Sequence, residues 1–256
     1  MSAVDQAIQD LFQICQNRLG EAARLGVSAT LFGPKGEPRS DVAYNEYERF
    51  PMASVVKVPL AMFLASEIAN GSLSLYEQIT IRSRAASPGL IGNPLDRFYF
   101  WPFDTIRTYT VNELIGSMLQ NSDNTATDVL LRRVGGMSAL AKFLTHELHA
   151  DGISLDRTMD QLLTFYFQLD RCDASEGQGI SRRIRNIVGN IPRLASPYNC
   201  RPTREQHLID SGEETCTPRG MADLLRQLAL NPKYALVYSH MQRCATNKRR
   251  IAEGLK

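Results

Sequence analysis

The sequence predicts an α+β fold: short strands near the N-terminus, then a long helical stretch, in one compact unit. Three observations carry this. Val27-Ser-Ala-Thr-Leu31 alternates at period two, as a half-buried strand does. Ser54 to Ala69 is apolar nearly all round, which marks a central, buried helix. Between Val111 and Leu230 the legible segments read as a series of helices.

Taken in order, residues 3 to 18 form an amphipathic helix, with Val4, Ile8, Leu11, Phe12 and Cys15 recurring at three and four. Gly33-Pro-Lys-Gly36 is turn chemistry after the first strand, and a second strand follows over Val42 to Tyr44. Gly71 closes the central helix. Ser87 to Pro102, rich in Pro and Gly, reads as an irregular surface loop. Helices are expected over Val111–Leu119, over Thr125–Val134 with Gly135-Gly136 as its stop, and over Met137–His149. Residues 159 to 214 are the least legible. A helix over Met159–Leu169 is followed by a polar patch and by Arg182-Arg-Ile-Arg185, which reads as a solvated helix face. Pro218–Leu230 is a late helix with Pro in its first turn. Within the single unit, residues 1–53 would hold the first strands, 54–214 a helical half, and 215–256 the return helices.

Composition excludes several classes. The chain has 256 residues, and Lys+Arg 29 minus Asp+Glu 27 leaves a charge of +2, so nothing points to nucleic acid or an acidic membrane as partner. The longest apolar run, Val58 to Ala65, contains Pro59 and falls well short of the roughly 20 residues of a spanning helix. The first residues carry acids where a signal peptide carries Lys or Arg. Either the chain stays in the cytoplasm or its leader is not part of this sequence, so the compartment is open, as is the oligomeric state. The 5 cysteines lie at wide spacings without C-x-x-C. That argues against a zinc ribbon and leaves room for one structural disulfide. His146-Glu-Leu-His149 has its histidines three apart, where the metalloprotease motif needs four. It reads as a surface helix, and no metal site is expected.

Two motifs carry chemistry. Ser54-Val-Val-Lys57 is S-x-x-K at the head of the buried helix, and a spacing of three puts both side chains on one face. A serine there meets the positive helix end. A lysine inside an apolar helix is costly to keep charged, which suits it to act as a base. Ser122-Asp-Asn124 follows just before another helix, where a hydroxyl and an amide can reach one cleft together. Alone, each motif also reads as an ordinary helix-capping segment.

Together they are part of the motif set of class A β-lactamases and penicillin-binding proteins. The chain resembles that penicillin-recognising serine hydrolase family over about residues 25–158 and 213–255. The matching stretches are Phe50–Lys57, Asn121–Asp128 with Leu130-Leu131, Thr215–Ala222 and Lys248–Leu255. The resemblance implies a β-lactamase/transpeptidase-like fold, an α/β/α sandwich half beside an all-helical half. It implies Ser54 as nucleophile, Lys57 as its base, Ser122 as proton relay to the lactam nitrogen, and Asn124 as a contact for the substrate's side-chain amide. The Ser54 N–H would be half of an oxyanion hole. Trp101, with Tyr99 beside it, would line the cleft mouth. No cofactor is implied, and the substrate would be a small β-lactam or D-Ala-D-Ala-like molecule. The family itself suggests a periplasmic or secreted setting.

There are two departures. The family's deacylating glutamate, in an E-x-x-x-N pattern, is missing from Leu155-Asp-Arg-Thr-Met-Asp160. Asp160 is the nearest carboxylate by spacing, with Asp156 and Glu176 behind it. The Lys-Thr-Gly strand is also missing before Lys256, so the fold is expected to be C-terminally incomplete. The leading expectation is a β-lactamase-type hydrolase working through an acyl-serine. Its rivals are a D-Ala-D-Ala peptidase or esterase-like penicillin-binding protein with slow deacylation, and a non-catalytic remnant or binding protein.

Overall fold

A computed structural model of the chain describes residues 3–20, 23–33, 37–87, 93–95, 105–167 and 197–252. The first half runs through α1 (Ala3–Leu19), β1 (Val27–Phe32), β2 (Pro38–Tyr44), β3 (Phe50–Pro51), a 3₁₀ turn (Ala53–Val56), α2 (Lys57–Ala69), β4 (Gln78–Arg82), β5 (Ile106–Thr110), α3 (Val111–Asn121) and α4 (Asn124–Arg133). Then come α5 (Gly136–His146), β6 (Ile153–Ser154), α6 (Met159–Phe167), α7 (Pro197–Ser211), β7 (Thr215–Cys216), α8 (Pro218–Leu230) and α9 (Ala235–Ala252).

The hairpin β1-β2 is antiparallel, with Val27 opposite Tyr44 and Ala29 opposite Val42; its register slips at Leu31/Phe32. Period two gives it two faces. On one, Tyr44 meets Phe12 of α1 at 6.1 Å between ring centroids. On the other, α8 packs against β1, and Arg226 lies 5.8 Å over the Phe32 ring. Helix, hairpin and helix thus make the sandwich layers. Gly26, at the foot of β1, is required by close packing: a Cβ there would sit 2.5 Å from the Phe50 ring and 2.6 Å from Pro218.

The helical layer centres on α2. Leu60, Met62 and Leu64 are almost fully buried, and α3, α4, α5 and α9 pack around them. Phe63 stacks on Phe143 of α5 at 4.9 Å. Pro59 falls in the first turn, where its missing N–H breaks no helix bond. There are two further small sheets among the described residues. β4 pairs with β5, and β7 lies between β3 and β6.

Several expectations need correction. Ser54 stands in the 3₁₀ turn and not in the α-helix, which starts at Lys57. The second strand starts at Pro38, four residues early, and α5 ends at His146 before the expected His149. Leu11, expected on the apolar face of α1, is 46% exposed. The short strands β3, β6 and β7, the pair β4-β5, and helices α7 and α9 went unread. Two-residue strands have no periodicity to read. Helix α8 has the expected bounds, with Thr217 as its cap and Pro in its first turn. Cys15, Cys216 and Cys244 are free thiols. Among the described residues no cluster could hold a metal ion, and no helix is long and apolar enough to cross a membrane. Arg182–Arg185 lies outside the described residues.

Candidate active site

The segment before Ser54 is fixed from both sides. β3 pairs with β7, Phe50 opposite Cys216 and Pro51 opposite Thr215. The Met52 N–H donates to the Glu214 carbonyl at 2.9 Å, and the Met52 side chain is buried. Ala53 then takes a left-handed φ of 45°, which costs a residue with a Cβ about 1–2 kcal/mol. This bend turns the chain into the 3₁₀ turn and leaves Ser54 exposed, while Lys57, three residues on, is 3% exposed.

Ser122 reaches the same place from the joint between α3 and α4. It ends α3 in the left-handed region, φ 57°. Asp123 then caps α4, its Oδ1 accepting the Ala126 N–H at 2.9 Å. Its Oδ2 accepts the Leu95 N–H at 2.8 Å. Asp123 is fully buried, so both of its flanking residues are held in place by a satisfied carboxylate.

The result is a connected polar cluster. Lys57 Nζ donates to Asn124 Oδ1 at 2.7 Å, to the Ser122 carbonyl at 2.8 Å, and to Ser122 Oγ at 2.9 Å. Ser54 Oγ lies 3.3 Å from the same nitrogen. Ser122 Oγ donates to Ser54 Oγ at 2.9 Å, across 68 residues of sequence. So the structure brings together Ser54, Lys57, Ser122 and Asn124. It does not bring Asp160 into this cluster. Asp160 is exposed in the first turn of α6, and the described partners of Ser54 Oγ are Lys57 and Ser122 alone. Asp156 donates its N–H to Glu214. Trp101, Tyr99 and Glu176 lie outside the described residues.

Two buried carboxylates that the sequence reading missed organise the region after Ser154. Glu214 Oε1 accepts the N–H of Asp156 at 2.6 Å and also that of Arg157. The Arg157 guanidinium pairs with Glu213 and lies 5.1 Å over the Phe165 ring. Burial pushes the Glu214 carboxyl above the usual range, against its hydrogen bonds from Asp156 and Arg157. Asp128, fully buried on α4, accepts the N–H groups of Met159 and Asp160 and the Ser87 hydroxyl. Burial raises its carboxyl as well, and those same bonds oppose the rise. One signal was available in sequence. Thr158-Met-Asp-Gln161 is a capping-box pattern, and the structure forms both of its bonds, at 3.0 and 3.2 Å.

Comparisons with known proteins bear on the family and the fold. The chain is 31% identical to β-lactamase VEB-1 of Pseudomonas aeruginosa over 55% of its own length and 44% of that protein. It is 31% identical to the extended-spectrum β-lactamase PER-1 of the same organism, over 49% of this chain and 38% of that one. The chain therefore spans less than half of either relative. Among solved structures, the class A β-lactamase of the last common ancestor of Gram-negative bacteria superposes with a TM-score of 0.58 at 23% identity. That match covers 95% of this chain and 69% of the other, and it establishes the fold. A family model described as the beta-lactamase enzyme family matches residues 3–256, and the chain belongs to that family.

Proposed function

We propose that the protein is a serine hydrolase of the β-lactamase type, opening β-lactam rings through an acyl-serine intermediate. The observation that carries this is Lys57 Nζ within reach of both the Ser54 and Ser122 hydroxyls, with Asn124 holding it from behind. A neutral Lys57 keeps its two N–H bonds on Asn124 Oδ1 and the Ser122 carbonyl, the two shortest contacts. Its lone pair then faces the hydroxyls. Ser54 Oγ attacks the lactam carbonyl carbon, and its proton passes to Lys57, directly or through Ser122 Oγ. The ring C–N bond breaks, and Ser122 delivers a proton to the nitrogen. Water then cleaves the ester and frees Ser54. The Ser54 N–H supplies one donor to the developing oxyanion, and Asn124 offers an amide to the substrate. In this reading residues 54–214 carry the reacting groups, while 1–53 and 215–256 brace them.

The test is covalent labelling. Incubation with a penicillin is expected to add the drug's mass to the peptide holding Ser54, and Ser54→Ala is expected to abolish the adduct. Adduct on another residue, or full labelling of the alanine variant, refutes the assignment.

One observation favours the slow-deacylation variant of this reading, in the manner of a penicillin-binding protein. At the start of α6 the side chains are the buried Met159 and the exposed Asp160, and no carboxylate among the described residues bonds Ser54. A burst of product followed by a much slower steady rate is expected. Rapid turnover without a burst would show that a carboxylate such as Asp160 activates the water.

A further inference from the structure

The last turn of α3 is held from a side that the reacting groups do not touch. The N–H groups of Ser122 and Asp123 both reach back to the Ser117 carbonyl, the second at 3.3 Å. The place of Ser122 therefore follows the place of this turn. Gly116 and Gln120, four residues apart, share one face of it, and His240 of α9 lies across that face. A Cβ built on Gly116 would stand 3.8 Å from the ring's Cε1 and 3.9 Å from Gln120 Nε2. Gln120 Nε2 in turn lies 3.2 Å from His240 Nδ1. The ring is buried, 5% exposed.

The protons of this contact can be counted. Gln120 Nε2 has hydrogens to give and no lone pair to offer, so Nδ1 accepts, and a neutral ring carries its proton on Nε2. Nε2 is buried without a partner among the described residues. A second proton goes onto Nδ1, where it meets the amide donor against donor. Gln120 is exposed, so its amide can turn away to water, while the buried ring has no such exit. Acid thus breaks the tie between α9 and the turn that carries Ser122.

The surroundings add little charge to this balance. α9 packs against α3, α2, α8 and the turn Pro232–Tyr234. On α3, Glu113 closes a capping box with Thr110. On α2, Lys57 lies in the Ser54 cluster and Glu67 acts on Arg133. On α8, Arg219 pairs with Asp223 and Arg226 lies over the Phe32 ring. In the turn, Lys233 bonds Glu147, and burial pushes the Tyr234 phenol up. Burial, and next to it Arg243 one turn along α9, keep the folded imidazole below 6.5.

We propose that His240 is a positioning residue for Ser122: while neutral its ring holds the last turn of α3 through Gln120, and on taking up a proton it lets that turn go, which makes acylation acid-sensitive at a site that touches neither hydroxyl. The kinetic half rests on the acyl-serine reading, and the contact itself rests on geometry alone.

Two measurements separate the halves, with thermal melts at each pH to report that every variant is folded. The first follows the His240 ring and the Gln120 side-chain amide by NMR from pH 7.5 to pH 5.0. Both are expected to shift with one midpoint. A ring that does not titrate in this range, or an amide that ignores its titration, overturns the contact as a switch. The second is the rate of penicillin adduct formation by mass over the same range. His240→Phe lacks the acceptor at every pH, so at pH 7.5 it should acylate roughly three- to tenfold more slowly than wild type. That ratio should close to about one as the wild-type ring takes up its proton, because the contact is then absent from both proteins. The titration of Lys57 is common to both and drops out of the ratio. In Gln120→Glu a carboxylate accepts from the new N–H, so acid makes the contact, and the rate relative to His240→Phe should rise as pH falls. A ratio of wild type to His240→Phe that stays constant through the ring's titration overturns the positioning role, and so does a Gln120→Glu rate that falls in parallel with wild type. If the wild type forms no adduct, the acyl-serine reading fails and takes the kinetic half with it. The NMR titration then decides the contact by itself.

Discussion

The cluster around Lys57 and the region around Glu214 are built in opposite ways. Lys57 is surrounded by side chains from two short sequence motifs, each set at a helix end by local geometry: S-x-x-K by its spacing of three, S-D-N by the cap that Asp123 provides. Glu214 is surrounded by backbone. Its carboxylate takes the N–H groups of Asp156 and Arg157, nearly sixty residues earlier, and its carbonyl takes the N–H of Met52 just ahead of the nucleophile. The first arrangement is chemical and offers hydroxyls and an amine to a substrate. The second is structural. It closes the base of the excursion between Arg157 and Glu213 and braces the strand that leads to Ser54. If this division holds, variants in the first region should lose activity with modest effects on folding, and those in the second should do the reverse.

The largest effect is expected in the first region. Lys57→Ala or Ser122→Ala should slow acylation by roughly 10² to 10⁴, the usual worth of a group that moves the proton. Melting temperature should fall by less than in the Glu214 variants below. The measurement is adduct formation by stopped-flow or mass, paired with a thermal melt. Wild-type acylation in both variants would make the cluster a packing feature and dissolve the contrast.

The same division explains what the sequence disclosed. Ser54, Lys57, Ser122 and Asn124 stood out because each lies in a short local motif, S-x-x-K or S-D-N, although the bonds that join the two motifs span 65 to 68 residues. The central helix was legible because its apolar surround leaves no alternative but burial. Glu214 was not. A glutamate in Gly212-Glu-Glu-Thr215 looks like a surface turn, and nothing local says that one of the pair is 1% exposed. Asp128 was hidden similarly, since an Asp inside Thr125–Val134 reads as the polar side of a helix. The 3₁₀ turn was missed because the left-handed Ala53 that starts it carries no residue signature: glycine favours that conformation and alanine does not. Long-range side-chain acceptors for backbone N–H groups are a property of the fold, and periodicity contains no information about them.

The second region supplies an intermediate effect, on stability. Glu214→Ala would leave the part-buried N–H groups of Asp156 and Arg157 without this acceptor, at a cost of about 1–3 kcal/mol. Glu214→Gln should cost distinctly less, because both bonds go to the same oxygen, Oε1, which an amide retains. The pH dependence has a definite sign. Burial raises the folded Glu214 carboxyl above 4.5, so the folded state binds its proton more tightly than the unfolded chain. That contribution is fully present below pH 4.5 and is lost as pH rises through the folded value. Chemical denaturation between pH 4 and pH 8 should therefore show a decline in wild type that is shallower in Glu214→Gln. Equal loss in the Ala and Gln variants would mean that the charge matters and the shared acceptor does not.

The smallest effect sharpens the contrast from behind Ser122. His240 on α9 is 5% exposed, and its Nδ1 lies 3.2 Å from the Gln120 side-chain nitrogen, two residues before Ser122. An amide nitrogen can only donate, so in this arrangement Nδ1 is the acceptor. Its Nε2 is buried without a partner among the described residues. Burial, with Arg243 nearby, pushes the folded imidazole below 6.5. The unfolded chain then takes up this proton first, so the contribution is present above pH 6.5 and is lost as pH falls through the folded value. Protonation would also set two donors against each other at Gln120, and the amide would have to turn over to offer its oxygen. Glu214 and Asp128 act with the opposite sign, so the informative comparison is with a variant that lacks the imidazole. The informative quantity is the difference in melting temperature between wild type and His240→Phe, followed from pH 7.5 to pH 5.5. It should move in the variant's favour as pH falls, because phenylalanine has no proton to take up. A difference that stays constant across the range would show that His240 does not bind its proton more weakly when folded, and that the support behind Ser122 is insensitive to acid.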